Sequence, residues 1–93
     1  MDNQTKLTNL RLEIDAIDQK LLETLARRFD VVVEIGGLKK EMKLLPLDEN
    51  RWAMVIQDRM SKGEKLGMTS DFVERIYTII HDEALKREAN LIF

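Results

Sequence analysis

The sequence predicts an all-α fold of three helices. A heptad-spaced apolar stripe runs through its first half, Pro46 and the Gly63–Gly67 segment punctuate its second half, and no segment alternates apolar and polar residues as a strand does. Steps of three and four from Leu7 reach Leu10, Ile14, Ile17, Leu21, Thr24, Arg28, Val31, Ile35, Leu38 and Met42, and nine of these eleven positions are apolar. A 3.5-residue period held this long describes one helix, about residues 6–43, packed lengthwise on another helix. At ~1.5 Å per residue it is roughly 54 Å long, more than two shorter helices can cover, so a second chain is the expected remedy. Gly36 and Gly37 weaken the helix by about 1 kcal/mol each relative to alanine and are read as a close approach or hinge within a continuous helix.

The single proline, Pro46, marks the first break, and Asp48 supplies the side chain that caps a second helix, about 48–63. The apolar face of that helix is Trp52, Val55, Ile56 and Met60. Gly63 and Gly67 bracket the next connection, and Thr69 or Ser70 caps a third helix, about 69–90. Its face carries Phe72, Val73, Ile76, Ile79 and Ile80 and continues through Ala84 to Glu88, with Asp82 and Glu83 solvated.

Ninety-three residues, 44% apolar and 34% charged, fit one domain spanning 1–93. No apolar run is long enough to cross a membrane. The absence of cysteine excludes a disulfide framework and thiolate metal sites. Met1–Leu10 lacks a basic segment followed by an apolar core, so a cytoplasmic location is expected. A net charge of -2 and sparse aromatics argue against nucleic acid, and any anion site must be local.

The charges that break the apolar pattern are the informative ones. Arg28 stands on the stripe, and Lys39 lies ~20° away around the same helix and roughly 16 Å along it. The two can hold a small anion between them, Arg28 as a carboxylate fork and Lys39 as a point charge; pairing with acids of neighbouring helices is the alternative. Glu88 extends the row Phe72, Ile76, Ile80, Ala84 at intervals of four, which presents a carboxyl group on a buried face. Beside an anionic ligand it would hold its proton and donate a hydrogen bond; a frayed helix end is the alternative. Asp48 and Arg51 share the first turn of the second helix, where free N–H groups favour an anion, or serve as a cap and a surface arginine. His81, the sole histidine, has no second histidine or cysteine with which to build a zinc site and is read as an ordinary helix residue, so no metal is implied. No nucleophile with a histidine–carboxylate pair and no glycine-rich phosphate loop is present.

Taken in order, Leu10-Arg11-Leu12-Glu13-Ile14-Asp15-Ala16-Ile17-Asp18, Leu21-Leu22, Arg28, Glu34-Ile35-Gly36, Lys39, Asp48 and Arg51 resemble the signature of the helical chorismate mutases, and the likeness runs from Leu10 to Glu88. The resemblance implies an intertwined six-helix homodimer with two active sites, each drawing residues from both subunits. It implies that Arg11 and Arg28 bind the two carboxylates of chorismate, that Lys39 and Glu88 address the ether oxygen, and that Asp48 and Arg51 line the pocket. Helix geometry supports sharing: Arg11 and Arg28 are roughly 25 Å apart along one helix and ~100° around it, so Arg11 would reach the neighbour's site.

The implied reaction is the Claisen rearrangement of chorismate to prephenate, in phenylalanine and tyrosine biosynthesis, which needs no nucleophile, metal or redox cofactor. Two positions depart from the pattern. Many relatives place Glu after the arginine matching Arg51, where it meets the substrate hydroxyl, whereas this chain has Trp52, read as core; Ala84 stands where some relatives have Ser. Isochorismate pyruvate lyase, on the same fold, is a rival reading. A noncatalytic regulatory or assembly module, associated with or fused to another shikimate-pathway enzyme, is a second. The ending Leu91-Ile92-Phe93 is read as packing within the dimer, with docking on such a partner as the alternative.

Overall fold

The computed structural model describes residues 2–92, with side chains as far as Asn90, and among these residues it contains three α-helices and no strand. Helix α1 spans Asn3–Glu41, α2 spans Glu49–Lys65 and α3 spans Ser70–Ile92. The side chains of Leu91, Ile92 and Phe93 lie outside the described residues, and with them the expected role of the apolar ending. No described helix is long and apolar enough to cross a membrane.

Helix α1 starts earlier than the apolar stripe requires because Asp2 caps it: its Oδ1 accepts a hydrogen bond from the Thr5 backbone N–H at 2.7 Å. That bond, with one from the Thr5 side chain, holds the Asp2 carboxyl below the usual carboxylate range. The helix then runs unbroken through Gly36 and Gly37. Thr24, a polar position on the stripe, satisfies its hydroxyl by donating to the Lys20 carbonyl at 2.8 Å.

Helices α1 and α2 end in the same way. After α1, Leu44 N–H donates to the Lys39 carbonyl at 2.8 Å and Lys43 N–H to the Lys40 carbonyl at 3.2 Å. After α2, Met68 N–H donates to the Gly63 carbonyl at 2.9 Å and Gly67 N–H to the Glu64 carbonyl at 3.0 Å. Both are Schellman motifs, whose penultimate residue takes a left-handed backbone. Gly67 adopts φ +86° freely, whereas Lys43 adopts φ 59° at a steric cost.

Gly63 was expected to close the second helix but sits inside it. The reason lies across the helix pair: a Cβ at position 63 would stand 2.5 Å from Val73 Cγ2 and 3.7 Å from Met68 Cβ. Glycine is needed there for close approach, and Gly67 alone serves the turn. At the start of α3, Thr69 Oγ1 accepts from Phe72 N–H at 3.2 Å, which makes Thr69 the cap, while the Ser70 hydroxyl donates to the Glu64 carboxylate.

The contacts divide the chain into two units, one ending at Val31 and the other beginning at Val32. In the second unit α2 packs on α3, and Val32, Val55, Val73 and Ala84 are buried. In the first unit the stripe of α1 is open to solvent, with Leu10 58%, Ile14 56% and Leu21 55% exposed.

The apolar row assigned to α3 is corrected in its first half. Ala84 and Glu88 are buried, but Phe72 and Ile76 are exposed, as is Ile79. Steps of four overshoot the helical repeat by ~40° each, so Phe72 and Glu88 are separated by ~160° around the axis. The buried side passes instead through Val73, with Tyr77, Ile80 and His81 half-buried, to Ala84 and Glu88. Asp82 is exposed as expected, whereas Glu83 is half-buried and paired with Arg87 at 3.2 Å.

Candidate active site

Lys39 stands in the last turn of α1, where its ammonium meets two acceptors. Its Nζ lies 2.9 Å from Glu88 Oε1 on α3 and donates a hydrogen bond to the Pro46 carbonyl at 2.5 Å. The Glu88 side chain is 8% exposed and that of Lys39 20%, so the pair is largely withdrawn from water. For Lys39 this is the alternative that the sequence offers, a pair with an acid of a neighbouring helix, and Glu88 is that acid. The ion pair offsets the cost of withdrawing both groups from water, although Glu88 Oε1 accepts no hydrogen bond among the described residues.

Beside this pair opens a cleft of about 500 Å³ lined by Lys39, Leu44, Leu45, Leu47, Asp48, Glu49 and Asn50. One wall is the apolar connection between α1 and α2, and another is the first turn of α2. Asp48 caps that turn by accepting from the Arg51 backbone N–H at 3.0 Å, which leaves the Arg51 guanidinium exposed and without an ion pair among the described residues. The lining thus combines the Lys39 cation, a helix N-terminus and apolar side chains with the Asp48 and Glu49 carboxylates, a mixed surface that suits a small polar molecule with a carbon skeleton.

Lys39, Asp48, Arg51 and Glu88 all belong to the second unit, whereas Arg11 and Arg28 belong to the first. Arg11 is exposed and has no ion pair among the described residues. Arg28 is half-buried, in keeping with its place on the stripe.

Trp52 is half-buried rather than enclosed, and its ring stacks on the imidazole of His81, with centroids 3.9 Å apart and planes 10° from parallel. His81 is thus more than an ordinary helix residue. It lies seven positions before Glu88, nearly in line with it on one side of α3, but nothing in that spacing points to Trp52. The Pro46 contact left no signal either, because a backbone carbonyl is present at every position.

A family model described as Chorismate mutase type II matches residues 10–89. The chain belongs to this family. The match takes in all six candidate residues, Arg11, Arg28, Lys39, Asp48, Arg51 and Glu88. Among relatives of this chorismate mutase type II domain is a T-protein of Enterobacter agglomerans, 32% identical over 83 residues, which covers 89% of this chain and 22% of the relative. A bifunctional chorismate mutase/prephenate dehydratase of Escherichia coli K12 is 29% identical over 92 residues, covering 98% of this chain and 24% of the relative. This chain thus spans about a quarter or less of the length of both. A 4-amino-4-deoxychorismate mutase of Streptomyces venezuelae is 32% identical over 89 residues, and there the overlap covers 95% of this chain and 85% of the relative.

Proposed function

We propose that this chain catalyses the Claisen rearrangement of chorismate to prephenate, an isomerase reaction, and that it does so as a homodimer. The observation that carries the reading is the Lys39 ammonium held against buried Glu88 at the wall of the cleft, inside the matched family region. In the rearrangement one ether C–O bond breaks as one C–C bond forms, with no net transfer of protons or electrons. Catalysis then consists of holding the two arms of the substrate face to face and stabilising the charge that develops on the ether oxygen. Lys39 supplies the cation at that oxygen, and Glu88, its ion-pair partner, stands beside it. Arg28 binds one substrate carboxylate and Arg11 of the second copy binds the other, while Asp48 lines the cleft and Arg51 stands next to it on the first turn of α2. Loss of one preorganised donor of this kind typically costs about 10²–10³ in turnover.

The dimer rests on the open stripe of α1 and on the absence, among the described residues, of any large side chain that is fully buried. A second copy laid along Leu10, Ile14, Ile17 and Leu21 removes that apolar surface from water. Sedimentation at micromolar concentration should give a dimer, and a monomer there would refute this part. The whole-length role, in phenylalanine and tyrosine biosynthesis in the cytoplasm, alone or joined to a further enzyme, is part of the same proposal. Fusion is supported by the bifunctional relatives.

A second reading, rearrangement of the 4-amino analogue of chorismate, is favoured by the relative of that name, which this chain matches over most of its length. Purified protein incubated with chorismate, 4-amino-4-deoxychorismate and isochorismate, with products identified by NMR against uncatalysed controls, separates the readings. Prephenate as the dominant product establishes the mutase, and its amino analogue establishes the second reading. Salicylate with pyruvate makes the chain a lyase, and no product indicates a regulatory module.

A further inference from the structure

We propose that the Pro46 carbonyl is the positioning group for Lys39, and that the connection 42–48 acts as a strap whose fastening to Lys39 is coupled to ligand binding. The inference rests on the reading of the cleft as the substrate site. An ammonium has three hydrogen-bond donors. In this chain one goes to the Pro46 carbonyl at 2.5 Å, while Glu88 Oε1 stands 2.9 Å away as an ion-pair partner without a hydrogen bond, which leaves a donor for a molecule in the cleft.

The two acceptors do different work. Glu88 alone would draw the ammonium into a closed ion pair, while a carbonyl on the loop side pulls it toward the cleft that Leu44, Leu45 and Leu47 line. A free lysine carries about 2 kcal/mol of rotamer entropy, and two anchors remove much of it before any ligand arrives.

The strap is built for this purpose. Its first end is pinned where Leu44 N–H meets the Lys39 carbonyl, and its far end where Asp48 caps α2. Between them, Lys39 Nζ holds the middle. Proline has a fixed φ, so the direction of the Pro46 carbonyl depends on ψ alone and the acceptor is preset. A ligand that draws the ammonium away loosens the strap, and a fastened strap presents the ammonium correctly, so the two equilibria are linked.

The test is a double-mutant cycle in kcat with Pro46→Gly and Lys39→Gln. Loss of one anchoring hydrogen bond predicts a fall in kcat of about five- to tenfold for Pro46→Gly, with KM changed less. Pro46→Ala, which keeps more backbone order, should fall between it and the parent. On the Lys39→Gln background the Pro46→Gly change should shrink to less than about twofold, because the group it positions is gone. An equal fall on both backgrounds means that the loop merely supports the fold, and overturns the proposal. If the chain turns over none of the three substrates, the reading of the site has failed. The strap is then judged by NMR of the Lys39 ammonium protons. A signal protected from exchange in the parent and lost in Pro46→Ala and Pro46→Gly supports it, and the absence of a protected signal overturns it.

Discussion

Replacing Lys39 by methionine keeps the length and apolar stem of the side chain and deletes its charge, which isolates what the Lys39–Glu88 pair contributes to the fold. At their separation of 2.9 Å, two unit charges attract by roughly 1.4 kcal/mol in water and roughly 6 kcal/mol at an effective dielectric constant of about 20. Neither figure is the cost of the substitution, because each charge also gave up hydration when it was buried. Removing one partner of a buried pair typically costs about 3–5 kcal/mol, chiefly because the other charge is stranded. Glu88 is buried enough to be stranded, but a fifth of the Lys39 side chain remains in water, which sets the expected loss at or below the bottom of that range, about 2–3 kcal/mol. Glu88→Gln should cost less, about 1 kcal/mol, since Lys39 keeps the Pro46 carbonyl and meets an amide oxygen. The double variant Lys39→Met/Glu88→Leu should return to within about 1 kcal/mol of the parent, because no charge is left buried. Urea unfolding followed by circular dichroism, at one fixed chain concentration, measures all three. A Lys39→Met loss below about 0.5 kcal/mol, or a double variant as unstable as the sum of its parts, would refute the reasoning.

Gly63→Ala places a methyl group 2.5 Å from Val73 Cγ2, and overpacking of about 1–3 kcal/mol should exceed the ~1 kcal/mol gained in helix propensity. Urea unfolding should show a net loss, and Val73→Ala on the same background should restore part of it. Lys43→Gly should stabilise by up to about 1 kcal/mol in the same assay, since Lys43 takes the backbone that glycine takes at Gly67. The first turn of α1 should stay capped as pH falls into the ordinary carboxylate range and fray only below it, because the Asp2 carboxyl titrates lower in the helix than in an unfolded chain. Amide NMR at Thr5 reads this transition, and Asp2→Asn should abolish it.

The features legible in the sequence are those encoded locally. The stripe of α1, the proline followed by the Asp48 cap, and the Thr69 or Ser70 start of α3 depend on residues within a turn or two of one another, and the helices lie where those signals put them. Gly63 was misplaced because its role is set by Val73, ten positions on and across a helix pair. Phe72 and Ile76 were assigned to the core because a four-residue step looks helical over two turns and drifts off the face over four. At the site, Lys39 and Glu88 stood out as charges on apolar faces, and the bridge between them accounts for both. The Pro46 carbonyl and the Trp52–His81 stack were not legible, the first because it is backbone and the second because pairing across helices leaves no periodic trace.

The stack of Trp52 on His81 makes the protein optically self-reporting. The chain has one tryptophan and one histidine, so all indole emission comes from a single ring whose face is covered by the single imidazole. An imidazole held face to face with an indole alters its emission, so emission intensity reports whether α2 and α3 stay together. Once the helices part, the two rings separate and that effect is lost. One unlabelled sample therefore follows separation of the two helices, without a dye, a tag or a substitution.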